Sequence, residues 1–115
     1  MPRQLTNYLR THRKRAHLTQ DEVAFLLGSR KGAHVSRHER FNRQPSLPAA
    51  FAYEVLFRVP AKDLFAGLHE TAERAMRNRV RALVRRLSHA KPTRQVAHKL
   101  AHLKKVGSVN GQLSA

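Results

Sequence analysis

Arg37 and Arg40 lie three residues apart in a segment, Ala33 to Arg40, whose only obvious core residue is Val35. A guanidinium is a planar fork of donors that matches the acceptor edge of guanine, and it needs a rigid, exposed helix to carry it into the major groove of DNA. The preceding residues supply a holder for such a helix. Thr19-Gln20-Asp21-Glu22 reads as a capping box, in which the Thr19 hydroxyl caps the amide of Glu22 and the Glu22 carboxylate reaches back. Val23, Ala24, Leu26 and Leu27 then predict a core-facing stripe that stops at Gly28. Ser29-Arg30-Lys31-Gly32 turns the chain into the Ala33–Arg40 helix. Two short helices across a tight turn, the second mostly exposed, form the arrangement by which side chains enter a major groove.

Charge points to the same kind of partner. The 115 residues contain 23 Lys and Arg against 7 Asp and Glu, a formal net charge of +16, which a polyanion or solvent must offset. Phosphate contacts supply most non-specific affinity for basic proteins, so nucleic acid is the expected partner. Residues 1–67 carry a net +7 and residues 68–115 a net +9, so the C-terminal part is the more basic for its length. With no cysteine there is no disulfide framework and no Cys-based zinc site. There is no run of about twenty apolar residues and no signal-peptide-like apolar region, so the expectation is a cytoplasmic, nucleoid-associated protein with no membrane partner.

The surrounding pattern is helical throughout, with no strand pattern and no internal repeat. Leu5, Tyr8, Leu9 and Ala16 predict a first helix from about Gln4 to His17 that exposes Arg10, Lys14 and Arg15. Phe41 to Pro45 forms a polar loop, and Ser46 caps a fourth helix with Pro48 in its first turn and Phe51, Val55 and Leu56 as its core face. Pro60 opens a short fifth helix that places Leu64 and Phe65 as an apolar plug before Gly67. A long basic amphipathic helix then runs from about His69 to His89, with Met76, Val80, Leu83 and Leu87 as its seam. Pro92 breaks it, and Thr93 caps a last helix carrying Val96, Leu100 and Leu103. The two seams either face each other as a hairpin or serve a homodimer through residues 69–105, spacing twin recognition helices along a duplex. The expected division is a domain at 1–67, a basic helical extension at 68–106 and a flexible tail at 107–115.

In order and spacing, LTQDEVAFLLG, then VSRHER, then PSLPAAFAYEVLFRVPAKDLF resemble the Cro/repressor-type, or Xre-like, helix-turn-helix family of transcription regulators, over roughly Leu5 to Gly67. The resemblance implies an all-α chain: a five-helix lambda-repressor-like domain, followed here by the two-helix basic extension. Its third helix would lie in the major groove. By the same resemblance Ala33, His34, Ser36 and Arg37 are the base-reading set, with Arg37 fit for a bidentate contact to guanine and Ala33 for a thymine methyl. Gln20 corresponds to a phosphate-binding glutamine at a helix N-terminus. Arg40, Asn42 and Arg43 ride along phosphates, with Arg30 and Lys31 adding grip. Arg13 and Glu39 match a structural salt bridge between the first and third helices. Two departures stand out. The turn between Gly28 and Val35 is one residue longer than usual, which loosens the registry of the third helix's start and sets Gly32 and Ala33 where longer polar side chains would reach bases. Arg58 stands where a glycine usually ends the fourth helix.

Other chemistries find less support. His34 with His38, and His98 with His102, have i,i+4 spacing, but a zinc site needs further ligands and neither pair has them in a suitable pattern. No metal or cofactor is expected, and the histidines add positive charge beside phosphates. An enzyme is the weakest reading, with no cysteine nucleophile, no phosphate-cradling glycine loop and few acids. An RNA- or ribosome-associated protein is the serious rival; it would need exposed rings for base stacking, for which Phe25, Phe41 and Tyr53 are the candidates. An antitoxin-type protein, binding DNA with one half and a protein with the other, is the third class.

Overall fold

The computed structural model describes residues 4–107, which form seven helices and no strand. They are α1 Leu9–Arg15, α2 Gln20–Leu26, α3 Gly32–Glu39, α4 Leu47–Phe57, α5 Ala61–Leu64, α6 Ala66–Ser88 and α7 Arg94–Gly107. Two compact units divide after Glu70. The tail expected at 107–115 lies outside the described residues except for Gly107, which is the last residue of α7.

Local signals place α2. Thr19 Oγ1 accepts from Glu22 N at 3.0 Å while Glu22 Oε1 accepts from Thr19 N at 2.8 Å, closing the capping box. At the other end Gly28 takes φ +80°, and the amides of Ser29 and Gly28 donate to the carbonyls of Ala24 and Phe25. These paired bonds form a Schellman stop, which needs a left-handed residue at the position of Gly28. The same stop ends α1 at His17 (φ 60°) and α3 at Phe41 (φ 64°), where a side chain is held in a conformation that costs roughly 1–2 kcal/mol. Arg58 ends α4 at φ 57°: the helix stops where a glycine was expected, with an arginine strained into the role.

The first unit's core comprises Leu9, Val23, Ala24, Val35, Tyr53, Leu64 and Phe65, with Leu18, Leu27, Leu56, Phe57 and Leu68 packed against it. Several sequence expectations fail here. The first helix starts at Leu9, not Gln4, because residues 5–8 bond to a distant segment. Leu5 O accepts from Gly67 N at 2.8 Å, Thr6 O from Leu68 N at 3.4 Å, and Tyr8 N donates to Leu64 O at 2.7 Å. Leu5 and Ala16 are therefore exposed and Leu9 alone is α1's buried residue. These bonds satisfy amides at the start of α6 that have no partner within the helix. Gly67 does not separate α5 from α6; it sits in α6's first turn, where a Cβ would collide with the carbonyl of Leu5. Leu26 is half exposed, so α2's inward side is Val23, Ala24 and Leu27. On α4, Phe51 and Val55 face outward and Tyr53, Leu56, Phe57 and Ala50 face inward. This helix is apolar almost all round, so periodicity could not identify its buried side.

In the second unit Thr93 caps α7, its Oγ1 accepting from Val96 N at 3.2 Å. Val80 is buried, and a Cβ at Gly107 would lie 4.0 Å from its Cγ1, which brings the end of α7 beside the middle of α6. Leu83, Val84 and Leu87 on α6 and Val96, Leu100, Leu103 and Val106 on α7 are half-buried. Met76, expected in the seam of α6, remains half exposed.

Candidate nucleic-acid interface

α3 is held at both ends and exposed between them. At its start, Asp21 Oδ1 on α2 accepts from Gly32 N at 3.1 Å, and Gly32 is buried there because a Cβ would strike the same carboxylate oxygen. Gly32 therefore packs on α2 instead of standing at a base-reading position, and the outward face begins at Ala33. At its end, the buried Asn7 donates from Nδ2 to His38 O at 2.9 Å while its Oδ1 accepts from Leu9 N. Asn7 thus ties α1 to α3, a role with no sequence signal because Asn suits a turn equally well.

Below α3 lies a buried ionic knot. Arg13 donates to both Glu39 oxygens, from Nε at 2.6 Å and from Nη2 at 3.1 Å, and from Nη1 to Leu18 O at 2.9 Å. The side chains of Arg13 and Glu39 are 13% and 3% exposed, so the expected pair exists, desolvated and bidentate. Gln20 joins it, donating from Nε2 to Glu39 Oε1 at 3.1 Å. Gln20 had been assigned to phosphate alone; it also cross-links α2 to α3, and its amide keeps a second hydrogen for another acceptor.

With the inward positions of α3 at Gly32, Val35 and Glu39, helical geometry turns Arg37 directly outward, with Ala33 to one side of it. Both are exposed, as is His34. A cleft flanks this ridge on each side. One, of about 510 Å³, is lined by Ser36 and Arg40 of α3, by Gln20 and by Arg10 and Lys14 of α1. Arg10 and Lys14 were visible in the sequence as an exposed basic face, but only the packing of α1 beside α3 makes them part of one surface. Ser36, expected to read bases, is half-buried in this cleft. The other cleft, of about 380 Å³, runs between α3 and the start of α4 and is lined by His34, His38, Arg43, Gln44 and Ser46. His34 shares a hydrogen bond with Ser29 across 3.2 Å. Arg30, Lys31, Asn42 and Arg43 are exposed on the turns before and after α3.

His38 is not available to a ligand in the way His34 is. Its Nδ1 lies 2.9 Å from the hydroxyl of fully buried Tyr53. Burial, then the neighbouring His34 and Arg43, hold its pKa below the ordinary 6.5. The Tyr53 phenol is pushed well above its ordinary range by burial and by the charge of Glu39, so it keeps its proton and can donate to a neutral imidazole. Among the described residues no three His, Asp or Glu side chains gather in a way that could hold a metal ion, and no helix is long and apolar enough to cross a membrane.

No family model, curated protein or solved structure matches this chain.

Proposed function

We propose that the chain is a sequence-selective regulator that binds double-stranded DNA, with residues 1–67 acting as a Cro/repressor-type helix-turn-helix domain and α3 entering the major groove. What carries the reading is the α3 ridge: Ala33 and Arg37 project outward between two clefts, one lined by Arg10, Lys14 and Arg40 and the other by His34 and Arg43. A rigid helix with a guanidinium on its crest and cations on both shoulders suits a groove floor of base edges between two phosphate walls. Arg37, Ala33 and His34 read bases, with Ser36 at the edge of the set. Arg10, Lys14, Gln20, Arg40, Arg30, Lys31, Asn42 and Arg43 position the protein on phosphates. The action is occupancy of an operator, without chemistry, in a cytoplasmic, nucleoid-associated setting.

Selection of bound sites from random duplexes at physiological salt tests this, with Arg37→Ala in parallel. An enriched motif is expected, relaxed at one position in the variant by the roughly 1–3 kcal/mol that a bidentate arginine contributes. No enriched motif, or the same motif in the variant, refutes sequence readout. A single-stranded RNA reader is the second reading, favoured by Phe25 and Phe41, residues 79% and 47% exposed whose rings could stack bases. Tyr53, the third ring it would need, is fully buried. Preference for single-stranded RNA over duplex DNA of equal length, lost in Phe25→Ala, would favour it.

A further inference from the structure

The second unit is strongly and unevenly charged. Residues 71–107 contain eleven Lys and Arg and one carboxylate, Glu73, and that carboxylate pairs with Arg77 at 3.6 Å. The cations are ordered by the helices. On α6, Arg74, Arg77, Arg81 and Arg85 are spaced three, four and four residues apart and so form a single row about 16 Å long. The row lies beside the stripe of buried Val80 and half-buried Val84 and Leu87.

We propose that this row is a second, sequence-independent grip on duplex DNA, directed at the phosphates of one strand. The inference rests on the DNA reading above and adds to it the second unit, which composition alone leaves between dimerisation and packing. Three observations choose the ligand. The row is on a continuous helix, so its charges are fixed at regular intervals and suit a rigid polyanion. Residues 71–107 contain no Phe, Tyr or Trp, so nothing there can stack the unpaired bases of a single strand. Val80 is buried, and Leu83, Val84, Leu87, Val96, Leu100, Leu103 and Val106 are half-buried, which leaves no wide apolar face to enter a lipid surface. Self-association through the same helices would instead bring eleven cations against eleven.

The full-length chain is titrated with a random-sequence duplex over a range of salt concentrations. The wild type is compared with Arg74→Gln/Arg81→Gln/Arg85→Gln and with a control of equal charge, Arg79→Gln/Arg86→Gln/Lys91→Gln, taken from outside the row. Each neutralised phosphate contributes about −0.9 to the slope of log K against log salt, so the row variant should flatten the slope by about 2 to 3 and the control by less than 1. Circular dichroism must show the same helix content in all three. A row variant with the wild-type slope overturns the proposal. So does an equal effect of both triples, which would make the charge diffuse, or a larger loss on single-stranded RNA or anionic vesicles than on duplex DNA. The motif selected by the row variant should match the wild type's. Because Arg37→Ala tests readout separately, a failed motif with a flattened slope would sink the regulator reading and leave this one standing.

Discussion

Replacing Arg13 with methionine keeps most of the side chain's volume and removes its charge from beneath α3. Glu39, whose side chain is 3% exposed, would lose two of its three hydrogen bonds, keeping only Gln20 Nε2 at 3.1 Å, and Leu18 O would lose the Nη1 donor. Stranding one member of a buried ion pair typically costs about 3–5 kcal/mol, a large share of the roughly 5–15 kcal/mol that holds a domain together. For a unit of this size each kcal/mol moves the midpoint by about 4–8 °C, so Arg13→Met should lower the thermal midpoint by well over ten degrees. Arg13→Met/Glu39→Met replaces both charges by apolar groups of similar length, and such replacements are often nearly neutral. The double variant should therefore be more stable than the single by at least about 2 kcal/mol. Urea denaturation followed by far-UV circular dichroism measures both. A single variant within about 1 kcal/mol of wild type, well short of the expected loss, or a double variant less stable than the single, would refute the account of Glu39 as a desolvated charge that depends on Arg13.

Three further outcomes are expected. Arg58→Gly should stabilise the first unit by about 0.5–1 kcal/mol, because relief of the strain at φ 57° exceeds the added freedom of the unfolded chain; a lower melting midpoint would contradict this. Gly67→Ala should destabilise it, since the new Cβ has no room beside the backbone of Leu5 and Thr6, and amide exchange should rise first at Gly67 and Leu68; unchanged protection would mean the segment simply moves aside. The folded protein holds His38's pKa below the ordinary 6.5, while the unfolded chain titrates near that value. Its contribution to stability is therefore present above about 6.5 and lost as pH falls through the lowered folded value. His38→Gln should flatten the fall in melting midpoint between about pH 7 and pH 5, and a fall as steep as in the wild type would remove His38 as its source.

How much the amino-acid order reveals depends on how far each signal reaches. Thr19 with Glu22, Gly28, Ser46 and Thr93 each act within a turn of their own position, and a capping oxygen finds its amide whatever surrounds it. These residues fix where α2, α4 and α7 begin and where α2 stops. The ion pair of Arg13 and Glu39 was legible only through resemblance, since nothing local joins residues 26 apart. The rest required the packed chain. Residues 5–8 have the periodicity of a helix but bond to the stretch around α5 and the start of α6, because the unmatched amides of one helix offered better partners than another turn of their own. The apolar sequence of α4 could bury any side, and the ring of Tyr53, set against His38, Phe57 and Phe65, decided which. Arg10 and Lys14 became neighbours of Arg40 only when α1 settled beside α3. Tertiary structure decided these matters because each depends on atoms far apart in the chain, where pattern carries no information and only shape and satisfied hydrogen bonds do.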